Sequence, residues 1–278
     1  MVNCYICNSK SKKIKTGTRD SDHEVYKCTV CDIQFLYPMQ DVKDYYENQY
    51  WIEQGKTDCP VVYINNLREA AIRVVEVMDN PYITNNTRML EVGCGVGAFT
   101  VTMGNACYMA AVEPDCNYRR WLYGLELDIE IYPSIDSVDK SYDHVVMFHV
   151  LEHVPDPVEF LRKLFKLSGR IYIEIPNSND AMLSNKDYKD YFYQKVHLYY
   201  MNEISMRYIA DILGVSIRVK YKQRYNIGNH MYWNAYGEPG GNDRYPDVVA
   251  NIGNSYSDNL IRLGISDTMI CILEDRNK

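Results

Sequence analysis

No apolar run in the 278 residues reaches membrane-spanning length, and no secretory pattern opens the chain. A basic surplus is missing too. The net charge is −7, which argues against a broad electrostatic surface for nucleic acid. Phenylalanine is scarce, 6 residues against 26 tyrosines, so much of the aromatic surface carries a polar tip. Nor is there a disulfide framework. Of nine cysteines, four sit in paired CxxC units and five are scattered through apolar surroundings. That distribution fits a reducing cytoplasm, one metal site and buried thiols. There is no internal repeat and no low-complexity tract. The length suits one large domain plus a small one.

What is present begins with Cys4-x-x-Cys7 and Cys28-x-x-Cys31. Each CxxC turn lets two sulfurs converge on one ion, so the pairs predict one closed, structural zinc with four thiolates. Asn8 and Asp32 follow the pairs, and both residue types tolerate the left-handed backbone needed there. So small a segment lacks a core of its own, and the metal would supply its folding energy. A redox dithiol pair or a site that has lost its metal stay open as alternatives. Lys10, Lys12, Lys13 and Lys15 lie between the pairs. They read either as a solvated ribbon loop or as a contact for a phosphate-bearing substrate.

Leu90-Glu91-Val92-Gly93-Cys94-Gly95-Val96-Gly97 is the most informative stretch. An apolar run ends in an acid, and three glycines follow at alternate positions. It reads as a buried strand, a tight turn and a helix over 98–103. Glycines there let the backbone turn sharply and approach a ligand where a Cβ would clash. The third glycine comes one position earlier than in the dinucleotide fingerprint, so a pyrophosphate cofactor fits less well. A second apolar strand, 108–112, runs into Glu113, 20 residues after Gly93, where a carboxylate can accept hydrogen bonds from a ribose diol. A third, 145–148, leads into His149-Val150-Leu151-Glu152-His153-Val154-Pro155-Asp156-Pro157.

At these residues the chain resembles the class I S-adenosylmethionine (SAM) dependent methyltransferases, over roughly 85–225. The resemblance implies an α/β fold: a Rossmann-like doubly wound sheet with an antiparallel edge hairpin, plus a small N-terminal zinc ribbon. It implies that Glu91, Gly93, Gly95 and Gly97 cradle the methionine end of SAM. Glu113, with Pro114 beside it, would hold the ribose, and His149 would lie near the sulfonium. The cysteine leader running into Tyr45-Tyr46-Glu47-Asn48-Gln49-Tyr50-Trp51 is similar to that of a methyltransferase subgroup of surface-glycan and deoxysugar pathways, which includes the sugar C-methyltransferases. The expected organisation is a zinc ribbon over 1–40, a helical linker region over 41–84 and a methyltransferase domain over 85–278, with a substrate-side insertion at 226–264.

Helical spacing of Ile64, Leu67, Ala71, Val74 and Met78 predicts a helix over 62–79. Asp156-Pro157 opens another through Leu167. Residues 170–175 alternate like a strand. Asn202 caps a helix closed by Gly214, and strands are expected at 216–222 and 267–273. The 40-odd residues between those strands exceed an ordinary connection. They contain a turn-rich loop, 237–242, and an expected helix from Tyr256 to Leu263.

Methyl transfer needs an acceptor held in line with the sulfonium, and a base if the acceptor is a hydroxyl. His197, in Tyr193-Gln194-Lys195-Val196-His197, is the candidate base, with Tyr193 supporting it and His149 positioning the acceptor. Each has a structural alternative: a loop hydrogen bond for His149, a loop-to-sheet tie for His197. The sugar C-methyltransferases carry Tyr-x-Glu-His here. This chain lacks the Glu, has one extra residue, and has no room after residue 225 for their large C-terminal domain. Glu152 and His153 mostly shape the cofactor wall in similar enzymes. His230 lies among aromatics that would stack on a sugar face or pack as an amphipathic segment, and His23 and His144 read as structural. The expected reaction is SAM-dependent methyl transfer to a sugar hydroxyl on a nucleotide- or lipid-linked glycan precursor. C-methylation of a keto-deoxysugar nucleotide, O-methylation of a quinone-like small molecule, and an RNA- or protein-binding module with an inactive or RNA-directed core are the alternatives.

Overall fold

The computed structural model describes residues 2–40 and 58–275. The expected aromatic stretch Tyr45–Trp51 lies outside the described residues. The chain divides into two compact units. One comprises Met1–Gln40, Leu151–Val158 and Glu174–Ile272; the other comprises Asp41–Val150, Glu159–Ile173 and Leu273–Lys278.

The strands are β1 (Val2–Asn3), β2 (Lys10–Thr18), β3 (Ser21–Cys28), β4 (Gln34–Tyr37), β5 (Arg88–Val92), β6 (Tyr108–Val112), β7 (Glu130–Tyr132), β8 (His144–Phe148), β9 (Arg170–Pro176), β10 (Tyr199–Tyr200), β11 (Ser216–Lys222) and β12 (Thr268–Glu274). A seven-stranded sheet has the order β11-β12-β9-β8-β5-β6-β7. Its β8, β5, β6 and β7 pair in parallel, with Glu91 level with Val146 on one side and Ala111 on the other. This is the expected Rossmann-like order. The reversal between β5 and β8 opens the crevice at the carboxyl ends where such sheets bind ligands. Met89, Leu90, Val145 and Met147 are fully buried. Each contributes about 1.5–3 kcal/mol of burial, which is why these strands read as continuous apolar runs.

The helices follow their caps. Helix α1 (Cys59–Met78) starts three residues before the expected 62, because the Asp58 side chain accepts from Val61 N and Pro60 occupies the first turn. Short α2 (Ala98–Met103) follows the glycine turn. In α3 (Cys116–Gly124), the Asp115 side chain accepts from Asn117 N and Tyr118 N. Helix α4 (Pro157–Leu167) begins at its proline, and α5 spans Lys186–Phe192. Helix α6 (Glu203–Leu213) carries a full Asn202–Ser205 capping box and ends at Gly214 with φ 71°.

Between β11 and β12 lie two helices, α7 (Ile227–Tyr236) and α8 (Pro246–Leu263). The expected helix at 256–263 is thus only the last part of α8. Asn251, Gly253 and Asn254 mask its first half, being weak helix formers. His230 is buried in α7, its Nδ1 2.6 Å from Tyr256 Oη. Burial pushes this imidazole down to about 4. It is a core histidine of the insertion, and the aromatic segment around it is a helix.

The ribbon is a five-stranded sheet, β1-β2-β3-β4-β10. Its last strand comes from far along the chain: Tyr199 pairs with Phe35 and Tyr200 with Gln34. Val25, Leu36, Tyr193 and Tyr200 form a small buried cluster under it.

Candidate functional site

At the carboxyl end of β5, Glu91 is buried and accepts a hydrogen bond from Thr100 Oγ1. Burial pushes its carboxyl up to about 7. Gly93 N and Cys94 N both donate to Val112 O, at 2.8 and 3.3 Å, tying the loop to β6. Glu113 sits just beyond β6. Its Oε2 accepts from Gly95 N at 2.7 Å and its Oε1 from Asp115 N at 2.8 Å. Burial also raises this carboxyl to about 7. Each oxygen keeps a second lone pair for a ribose hydroxyl. Pro114 follows, its carbonyl accepting from Arg119.

All three loop glycines are left-handed, with φ 75°, 55° and 77° at Gly93, Gly95 and Gly97. They differ in what a side chain would meet. A Cβ on Gly93 would stand 2.6 Å from Val150, and one on Gly97 would stand 2.4 Å from Leu122. Among the described residues, a Cβ on Gly95 would meet nothing within 4 Å. Gly93 and Gly97 therefore serve packing. Gly95 faces no atom of the described residues and lies beside a buried carboxylate, a cradle of the kind a cofactor needs. His149 follows β8 with φ 55°. A non-glycine residue in that region is strained, and such strain gathers at functional sites.

In the other unit, Cys4, Cys7, Cys28 and Cys31 bring their sulfurs within 4.8 Å of one another. Three contacts are 3.4–3.7 Å. Four sulfurs tetrahedrally around zinc at about 2.3 Å stand about 3.8 Å apart, so the set fits that ion. Ile6 N and Val30 N each point at a cysteine sulfur from 3.4 Å, an arrangement that favours thiolates. Asn8 and Asp32 have φ 58° and 61°, the left-handed turns expected after each CxxC. The basic run between the pairs is partly spoken for, since Lys13 pairs with Glu24 and Lys15 with Asp190.

Tyr193 and His197 lie in this same unit. Tyr193 is buried and its hydroxyl donates to Gln34 at 2.6 Å, so it packs on the ribbon. Its ring lies 4.7 Å from Tyr200, whose ring is 5.7 Å from His197. His197 meets His153 edge-on at 4.7 Å, next to the buried Glu152. Gln194 Oε1 accepts from Arg19 at 2.5 Å and turns its amide nitrogen to His197. The Arg19–Gln194–His197 chain and the meeting of His153 with His197 had no local signal. Their partners lie 175 and 44 residues apart in sequence.

A family model described as a methyltransferase domain matches residues 63–214, more than half of the chain. The chain belongs to this methyltransferase family. Similar curated proteins include the ubiquinone biosynthesis O-methyltransferase of Xanthomonas oryzae pv. oryzae, 30% identical over 107 residues. That match covers 34% of this chain and 45% of the relative. The same enzyme of Xanthomonas euvesicatoria pv. vesicatoria is 26% identical over 147 residues, covering 48% and 59%. The chain thus spans about half the length of the curated relatives it matches. In fold, it is similar to a SAM dependent methyltransferase from Archaeoglobus fulgidus, with TM-score 0.50 and 19% identity over 82% of this chain and all of that one. It is also similar to magnesium protoporphyrin IX methyltransferase from Synechocystis PCC 6803 with bound SAH, with TM-score 0.53 and 11% identity over 84% and 97%. The chain carries a methyltransferase domain and has the Rossmann-like α/β fold. Among the described residues, no helix is long and apolar enough to cross a membrane.

Proposed function

We propose that this enzyme methylates a sugar hydroxyl on a nucleotide- or lipid-linked glycan precursor in the cytoplasm. SAM is held by the loop of Glu91, Gly93, Gly95 and Gly97, in which Gly95 faces the cofactor and Gly93 and Gly97 set the turn, and by Glu113 and Pro114. In this reading residues 1–40 are a structural zinc ribbon on Cys4, Cys7, Cys28 and Cys31. Residues 41–84 are a linker region, helical over Cys59–Met78, and 85–278 the methyltransferase domain with its 226–264 insertion. His149 positions the acceptor. Loss of the acceptor proton is centred on His197, with Tyr193 supporting it through Tyr200. The observation that carries an oxygen acceptor is the imidazole pair His153–His197 beside the buried Glu152 carboxylate. A sugar hydroxyl is barely acidic, so its proton must leave as oxygen bonds to carbon, and imidazoles suit that work near neutrality.

A second reading, O-methylation of a quinone-like phenol, is favoured by the names of the curated relatives. Incubation with SAM and a panel of nucleotide sugars and catechols separates the two by mass spectrometry. A methyl ether on a sugar supports the first reading. Methylation confined to a catechol oxygen supports the second, and methylation at a ring carbon overturns both.

A further inference from the structure

We propose that Glu152, His153 and His197 bind a divalent first-row transition-metal ion. Each offers one ligand atom, and these atoms lie within 4.8 Å of one another. Two imidazole nitrogens and one carboxylate oxygen are a ligand set that leaves coordination positions open for an oxygen ligand. Bonds of 2.0–2.2 Å to one ion place such ligands about 3–3.4 Å apart. Side-chain rotations that shorten the longest separation by about 1–2 Å close the set.

The surroundings fit an ion in three ways. First, His153 Nδ1 donates to Val196 O at 2.8 Å. That places the ring proton on Nδ1, and Nε2, the nitrogen that would meet an ion, stands 4.0 Å from Glu152 Oε1. A backbone carbonyl on the far nitrogen is the usual outer partner of a metal-bound histidine. Second, Glu152 is 2% exposed, and a buried carboxylate is stabilised by a cation beside it. Third, the Gln194 amide nitrogen stands 2.9 Å from His197 Nε2 and 3.3 Å from Nδ1. Its oxygen is held by Arg19, so the amide nitrogen, nearly equidistant from both ring nitrogens, lies against the His197 imidazole. A partly positive N–H so close to the ring competes with a cation for it, and an ion would displace the amide.

This site is distinct from the four-cysteine cluster in ligand chemistry: nitrogen and oxygen donors admit Mn²⁺, which a tetrathiolate disfavours. The catalytic consequence rests on the hydroxyl-acceptor reading above. With His197 on an ion, a hydroxyl bound to that ion would have its pKa lowered, and the ion would take the place of a free His197 imidazole in loss of the proton. The proton leaves to solvent as the oxygen–methyl bond forms and the sulfonium–methyl bond breaks, giving S-adenosylhomocysteine and the methyl ether.

Binding can be read without any acceptor, so its failure is separate from failure of the substrate reading. The full-length protein is equilibrated with Zn²⁺, desalted and analysed by mass spectrometry. It is also titrated with Mn²⁺, followed by loss of the free-ion paramagnetic resonance signal. Two zinc ions per chain are expected, falling to one in Glu152→Gln and in His153→Gln, with one Mn²⁺ site lost in the same variants. Because either variant could disturb folding, Gln194→Ala gives an arm that keeps all three ligands. It removes the competing N–H and should tighten Mn²⁺ binding about 3- to 10-fold. One zinc per chain with no Mn²⁺ site, a second ion that persists in both variants, or no gain in Gln194→Ala overturns the proposal.

Discussion

Replacing Gly95 with alanine separates the cofactor cradle from the packing of the loop. Gly95 adopts φ 55°, and a Cβ there meets no atom of the described residues within 4 Å. Strain in the left-handed region costs about 1–2 kcal/mol, or roughly 2–8 °C in melting temperature for a chain this size. The methyl group then projects into the space assigned to SAM. Forcing a ligand to accommodate one methyl costs about 1–3 kcal/mol, so the Kd for SAM should weaken roughly 5- to 150-fold. Gly97→Ala reverses the balance. Its Cβ would overlap Leu122 Cδ2 at 2.4 Å as well as sit at φ 77°. The sum is about 2–5 kcal/mol of lost stability, while the protein that remains folded should bind SAM within a few-fold of wild type. Calorimetric titration with SAM and thermal melts read both quantities on the same samples. Wild-type affinity in Gly95→Ala would refute the placement of the cofactor over this glycine.

Other tests follow from the same geometry. The buried Glu91 and Glu113 carboxyls titrate near 7. SAM affinity should therefore rise roughly tenfold from pH 6 to pH 8 if one ionised carboxylate is needed, and a flat profile by calorimetry would contradict this. Folded values above the ordinary 4.5 also mean that these groups cost stability as pH climbs from 4.5 through about 7. Melts without cofactor should show that fall, and Glu113→Gln should flatten it. Substituting Co²⁺ in the cysteine cluster should give intense thiolate charge-transfer absorption, abolished by Cys28→Ser; weak bands only would exclude four-thiolate binding. His197→Ala should lower turnover about 10²-fold or more with SAM affinity unchanged. Retained turnover there, with collapse in His149→Ala, would move the acceptor chemistry to His149.

Much of this architecture is legible locally. Runs such as 145–148 are apolar because both faces of a parallel sheet are covered, and Asn202 and Gly214 bracket α6 because caps are chosen by backbone chemistry within one turn. The glycine loop and Glu113 are legible for the same reason: their spacing follows the strand–turn–strand path. What escapes is long-range. Two-residue β10 has no periodicity of its own and exists only through β4. Gln34 gives no hint that it will bind Tyr193, 159 residues away. The first half of α8 has poor intrinsic propensity and is helical only in the assembled insertion. The loop glycines also look alike in sequence, and only the neighbours of each missing Cβ tell packing from ligand space.

The strand β10 that completes the ribbon gives the chain a timetable. At synthesis rates of 5–20 residues per second, roughly 8–30 s separate the emergence of β4 from that of Tyr199 and Tyr200. Through that interval the edge that carries Phe35 and Leu36 has no strand to pair with, and such an edge is open to other chains. The four cysteines are all in hand by residue 31. Zinc captured early would hold the hairpin in shape until its last strand arrives. Nascent chains made in zinc-poor medium would then be the ones that aggregate, even where the finished protein tolerates the loss of its metal.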